Sequence, residues 1–214
     1  MKKISSLFLS ILLMFGFTTQ INAQTAQSIL QNVSKTIKNG SGLKSDFTFT
    51  MTDGNNKQTM SQKGNLMLKG SKYKVVMNDQ TIYNDGSTMW TYLKGMNEVQ
   101  VKNTSDATQG LSPAKLFSGS YDNDFIYKLV GDENYNGKTC HKISLTPKKA
   151  NQGFTTAFLY VAKGTNVVQG GKLFTKAGVI DCKVSNVKTD AQIADAEFKF
   201  SESKYPGVEV IDLR

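Results

Sequence analysis

Cys140, His141 and Cys182 are the side chains of this chain whose types most readily attack bonds or hold metal. His141 is the only histidine, and it stands in a strand-like run beside Lys142. A lone histidine cannot build a multi-histidine metal site, and no nearby pair of carboxylates has general acid/base spacing. No Gly-x-Ser-x-Gly elbow, phosphate loop or dinucleotide fingerprint is present, and Gly170-Gly171 reads as a bulge inside a strand. The expectation is no catalytic residue, no metal site and no cofactor. The two cysteines pose a separate question, since an oxidising compartment would allow them to pair. In a simple meander two strands lie between theirs, which makes about 14 Å, beyond the roughly 7 Å that bridged Cα atoms tolerate. Cys140 also faces away from Ile143 and Leu145, whereas Cys182 shares a face with Ile180 and Val184. Two unpaired, mostly buried thiols are expected.

The residues that do suggest an activity are soft and apolar. Of the eight methionines, those at 51, 60, 67, 77, 89 and 96 all fall in one half of the strand pattern, with Phe47, Phe49, Tyr73, Trp90 and Tyr92 among them. Methionine is unbranched and adaptable, so it lines surfaces that accept chains of variable shape, although ordinary core packing uses it too. One helix does not obviously need this much apolar area, and the excess favours a cavity. Burying one sixteen-carbon chain is worth about 12 kcal/mol, at about 0.8 per methylene. A surface of this kind would shield apolar chains from water.

The elements that must position these residues can be read from period and punctuation. Residues 25–39 place Ile29, Val33 and Ile37 at four-residue spacing, which predicts one amphipathic helix stopped at Gly40. Phe47, Phe49 and Met51 then alternate with polar residues, and Asp53-Gly54-Asn55-Asn56 turns that strand back. Further strands are expected near 57–69, 72–77, 79–83, 88–93, 98–102, 123–130, 138–146, 154–163, 167–176 and 178–188, with short pieces at 196–200 and 208–212. Between them Ser112-Pro113-Ala114-Lys115-Leu116-Phe117 has a Ser N-cap and Pro at the first helical position, and predicts a short helix. About ten or eleven antiparallel strands must close or nearly close to limit their edges. The expected fold is mostly β with an α lid: an open, incomplete antiparallel β-barrel with an N-terminal helix and a short lid helix.

Lys2, Lys3 and the apolar run Leu7 to Phe17 have the form of a signal peptide too short to span a bilayer, with a cut near Ala23. Residues 24–214 are then expected to make a single exported domain. The net charge of +9 is carried by lysine apart from Arg214. Phosphate forks and base edges favour guanidinium, and these lysines are scattered, so nucleic acid is not an expected partner.

The segment from Gly64 to Val101 carries a more specific pattern. Leu66-Met67-Leu68, Tyr73-Lys74-Val75, Thr81-Ile82-Tyr83, the Asn84-Asp85-Gly86 turn and Met89-Trp90-Thr91-Tyr92 occur in the order and spacing of periplasmic outer-membrane lipoprotein carriers, and the chain resembles that family, LolA. The start Asp46-Phe47-Thr48, the Ser112-Pro113 pair and the ending Ala196 to Phe200 and Pro206 to Val210 follow the same order. The resemblance implies a Gram-negative chaperone that carries lipoproteins from the inner to the outer membrane, as a monomer. It also implies an inner-membrane ATP-driven lipoprotein-releasing transporter as donor and an outer-membrane acceptor. A lipid- or lipoprotein-sensing domain, and a paralogue ferrying another lipid, are the alternatives. The acyl-chain cavity is expected from Ile29 and Val33 of the helix, Phe47, Phe49, Met51, Leu66, Leu68, Tyr73, Val75, Met77, Met89 and Trp90 of the sheet, and Leu116 and Phe117 of the lid. Two departures stand out. The family's Arg-Pro after the strand at 66–69 is replaced by Lys69-Gly70 or Gly70-Ser71, which makes Lys69 the candidate lid latch, a point charge in place of a fork. The aromatic pair that follows becomes Tyr73 and Val75.

Overall fold

A computed structural model describes residues 18–38, 42–107, 121, 123–149 and 153–214. Helix α1 (Thr18–Lys38) is followed by β1 (Leu43–Thr52), β2 (Gln58–Lys69), β3 (Lys72–Met77), β4 (Gln80–Asn84), β5 (Thr88–Leu93) and β6 (Glu98–Asn103). A four-residue helix, α2 (Thr104–Ala107), precedes β7 (Phe125–Tyr135), β8 (Lys138–Pro147), β9 (Thr156–Ala162), β10 (Val168–Thr175) and β11 (Gly178–Lys188). Two 3-10 turns, Asp195–Phe198 and Glu202–Lys204, lead to β12 (Glu209–Asp212).

All twelve strands form one sheet in the order β12-β6-β5-β4-β3-β2-β1-β11-β10-β9-β8-β7. Two meanders therefore run outward from β1, which pairs with β2 on one side and with β11 on the other. The fold is mostly β, and the sheet stays open, with β12 and β7 at its edges. One expectation is corrected here: β12 pairs with β6 in parallel, so the sheet is not wholly antiparallel. A second correction concerns 196–200, which begins in a 3-10 turn where a strand piece is expected. The expected lid helix at 112–117, with Leu116 and Phe117, and the apolar leader Leu7 to Phe17 lie outside the described residues.

Turn chemistry explains the meanders. Asp53 Oδ1 accepts from the backbone N–H groups of Asn55 and Lys57, both at 2.9 Å, and ties off the β1–β2 turn. Asn136 and Gly137 both have positive φ, 54° and 76°, the conformation a two-residue type I′ hairpin requires.

Pleating divides the sheet into two faces. The inner face packs on α1 through Ala26, Ile29, Leu30 and Val33, one stripe of the helix. Against these lie Leu43, Leu66, Leu68, Tyr73 and Val75 of the first meander and Ile143, Leu145, Leu159, Val161 and Val184 of the second. On the outer face of the first meander lies the C-terminal segment, whose Phe198 is fully buried. Its Tyr205 hydroxyl meets that of Tyr83 at 2.7 Å, and its ring lies 4.1 Å from that of Tyr92. On the outer face of the second meander Tyr135 and Tyr160 stack at 3.8 Å with Cys140 beside them.

Candidate functional site

The register assigns the expected cavity residues of the sheet to a face, while Leu116 and Phe117 of the expected lid lie outside the described residues. Phe47 pairs with Val184 and Gly64, and Phe49 with Cys182 and Gln62, so Phe47, Phe49 and Met51 continue the inner-face row begun by Leu43. Leu66 pairs with Val75 and Leu68 with Tyr73, which puts β2 and β3 on the same face, and Met77 packs against the same cluster. Ile29 and Val33 complete that cluster from α1. Met89 joins them across the sheet: the Tyr73 hydroxyl lies 3.6 Å from its sulfur. The inner face thus grades from buried leucine and valine beneath α1 to half-buried Phe47, Phe49, Met51, Met77 and Met89.

Two of the expected positions need correction. Trp90 pairs with Tyr83 and Val101 on the outer face, so it cannot line a cavity that Met89 lines. Neighbours on a strand point to opposite sides. Lys69 follows Leu68 and so also lies on the outer face, where no lid latch for the inner cavity can be made. Its ammonium donates to the Ile193 carbonyl at 3.0 Å and pairs with Asp195 at 2.8 Å. Lys72 holds the other Asp195 oxygen at 2.7 Å, and Lys74 holds Glu197 at 2.9 Å. Together these three lysines clamp the C-terminal segment to the sheet. Hydrogen bonds and charge from Lys69 and Lys72 lower the Asp195 carboxyl to about 2.

The Lys69–Asp195 pair is largely in solvent, at 41% and 58% side-chain exposure, and water screens most of its attraction. Lys69→Ala is therefore expected to leave acyl-chain binding within about twofold of the parent while loosening the C-terminal segment. Limited proteolysis beside a lipopeptide titration checks both; a large loss of binding would restore the latch.

Several inner-face residues escaped the sequence reading. Ile82 packs against the cluster, as do Tyr127, Leu129 and Leu173 of the second meander. Alternation in β7 (Phe125, Tyr127, Leu129) was the signal that marks them. Gly64 had no such signal: a Cβ there would lie 2.5 Å from the Phe47 ring and 2.4 Å from the Val76 carbonyl. Its missing side chain is what lets the Phe47 ring lie against β2.

Bond chemistry finds little support in this setting. Cys140 and Cys182 sit on strands separated by β9 and β10 and face opposite sides of the sheet. Burial raises the Cys140 thiol, and burial with the Asp181 charge pushes Cys182 up to about 11, so neither offers a thiolate near neutral pH. His141 Nδ1 lies 2.8 Å from Asp132, whose other oxygen holds Lys163 at 2.6 Å. Among the described residues no group of three His, Cys, Asp or Glu side chains could hold a metal ion. None of their helices is long and apolar enough to cross a membrane.

Comparison with known proteins adds to this geometry. The family model described as outer membrane lipoprotein carrier protein LolA matches residues 38–201. The outer-membrane lipoprotein carrier protein of Legionella pneumophila (strain Corby) is 26% identical over 211 residues, spanning 97% of this chain and 98% of that protein. The protein of the same name from Francisella tularensis subsp. tularensis (strain WY96-3418) is 24% identical over 207 residues, spanning 89% and 91%. Among solved structures, an uncharacterized conserved protein from Thermus thermophilus superposes with a TM-score of 0.62 at 14% identity, covering 88% of this chain and 99% of that one. At that identity the likeness is one of fold.

Proposed function

The chain belongs to the outer-membrane lipoprotein carrier protein family LolA, and from that premise we propose that it is a periplasmic chaperone which shields the acyl chains of lipoproteins on their way from the inner to the outer membrane. The observation that carries this reading is the apolar inner face beneath α1, where Phe47, Leu66, Leu68, Tyr73, Val75 and Met77 belong to or pack on one cluster with Ile29 and Val33. Residues 1–23 would be removed on export, and 24–214 would act as one domain. The names of the relatives from Legionella and Francisella support lipoproteins as cargo.

The energetics set the terms. Each sixteen-carbon chain needs about 12 kcal/mol of burial, and a lipoprotein carries two or three. The carrier must match that burial with α1 displaced from the sheet, so loading opens a core that is closed when empty. An inner-membrane ATP-driven transporter would supply the work of loading, and an outer-membrane acceptor would take the cargo. No step breaks or forms a covalent bond, and the protein acts as a binding protein rather than an enzyme.

Native mass spectrometry of residues 24–214, mixed with a triacylated lipopeptide or its unacylated twin, tests the proposal. One-to-one binding of the acylated form alone is expected. Absence of binding to either would turn attention to a sensing role.

A further inference from the structure

Among the described residues one buried side-chain polar atom lacks a hydrogen-bond partner: the hydroxyl of Ser45. Ser45 is 5% exposed and lies on the inner face between Leu43 and Phe47, directly beside Leu66. Its inner-face neighbours along and across the strands, Leu43, Phe47 and Leu66, belong to or pack on the cluster that α1 covers. A hydroxyl removed from water without a partner costs stability, and a core has no packing need for one where alanine or valine would serve.

The strand beside Ser45 is also irregular. Pairing between β1 and β11 passes from Lys44–Lys188 to Asp46–Ser185, so Asn186 and Val187 both stand opposite Ser45 in a bulge. Asn186 adopts a left-handed φ of 51°, and Val187 packs against the inner cluster. These two residues and Val184 also border a cavity of about 470 Å³, whose remaining lining, from Asn136 and Lys138 to Thr165, Gln169 and Thr189, is mostly polar and does not include Ser45. The unpartnered hydroxyl thus stands in the inner-face row of β1, between Leu43 and Phe47 and opposite an irregular stretch of β11.

We propose that Ser45 is the polar anchor of the inner face, donating its hydrogen bond to the carbonyl oxygen of an ester- or amide-linked acyl chain. The inference rests on the acyl-carrier reading and names the part of the ligand that the site selects. An acyl chain is apolar except at its carbonyl, which loses water when the chain enters. Ser45 lacks an acceptor and the entering carbonyl lacks a donor, so each relieves the other. The anchor sets how deep the chain lies and favours acyl over alkyl chains. No bond is made or broken.

The test uses residues 24–214, the parent and Ser45→Ala, with three probes. One is a lipopeptide bearing two ester-linked palmitoyl chains, the second its diether twin without the carbonyls, and the third dipalmitoyl phosphatidylglycerol. The parent is expected to bind the diester lipopeptide about tenfold more tightly than the diether. Ser45→Ala is expected to lose that preference while holding the diether within about twofold, and to melt at the same or a higher temperature when empty. Ser45-dependent binding of the phospholipid would assign the anchor to any diacylglyceryl group, and its absence would restrict it to the acylated peptide. Unchanged diester binding by Ser45→Ala, equal loss on both twins, or a melting temperature lowered by several degrees would each overturn the anchor. If the parent binds neither lipopeptide, the carrier reading itself falls, and the anchor with it.

Discussion

Phe49→Asp is expected to abolish lipopeptide binding while the protein still folds. Phe49 is half-buried on the inner face, in the row of Phe47 and Met51 but beyond the cluster that α1 closes. A carboxylate there would lose its water when an acyl chain lay over it and would gain no cation, a cost of several kcal/mol. At about 1.4 kcal/mol per factor of ten, affinity should fall by roughly 100-fold or more. Thr48→Asp is the matched control. It moves the same charge by one residue to the outer face, between the register partners Lys183 and Lys63. Binding isotherms for both variants, with circular dichroism to establish folding, decide the matter. Equal affinities would mean that the cargo lies on another surface.

The second large effect concerns stability. Phe198 is the fully buried anchor of the C-terminal segment on the outer face of the first meander. Phe198→Ala removes most of a large side chain from a packed site, which typically costs about 3–5 kcal/mol. For a chain of this size the melting temperature should fall by about 10 °C. The lysine clamps cannot compensate, because Lys69–Asp195 and Lys72–Asp195 are largely solvated. Phe200 and Tyr205, stacked at 5.0 Å, would lose their register over Tyr83 and Tyr92 as the segment loosens. A thermal melt checks this, and a fall of less than about 2 °C would show that the aromatic pairs hold the segment without Phe198.

Most of the strands could be read from residues alone, because their causes are local. Alternation in Phe47-Thr48-Phe49-Thr50-Met51 reports a pleat, and Asp53-Gly54-Asn55-Asn56 turns β1 back into β2. The stripe Ala26, Ile29, Leu30 and Val33 is an α-helical repeat and nothing else. Half of the inner face was also legible: Leu66, Leu68, Tyr73 and Val75 stand on it as their periods require. The misplacement of Trp90 has a definite origin. Between β3 and β6 both faces are apolar, with Val75 and Met77 inside and Tyr83, Tyr92, Val99 and Val101 outside. Where both faces are covered, alternation loses its contrast, and Met89-Trp90 offers no clue to which residue turns toward α1.

By itself, then, the sequence determined the succession of strands, the helix with its apolar stripe and the family pattern of residues 64–101. The first two follow from interactions within about one turn or one hairpin. Only the tertiary structure decided that β1 joins the two meanders by pairing with β11, that the C-terminal segment covers the outer face, and that Lys69 clamps that segment. Those contacts join distant parts of the chain, 124 positions apart in the Lys69–Ile193 hydrogen bond, and depend on which surfaces remain to be covered once the sheet has formed. The unpartnered Ser45 hydroxyl belongs to the same class: a serine in a strand has no fixed meaning until the folded sheet and the helix over it leave its hydroxyl buried without a partner.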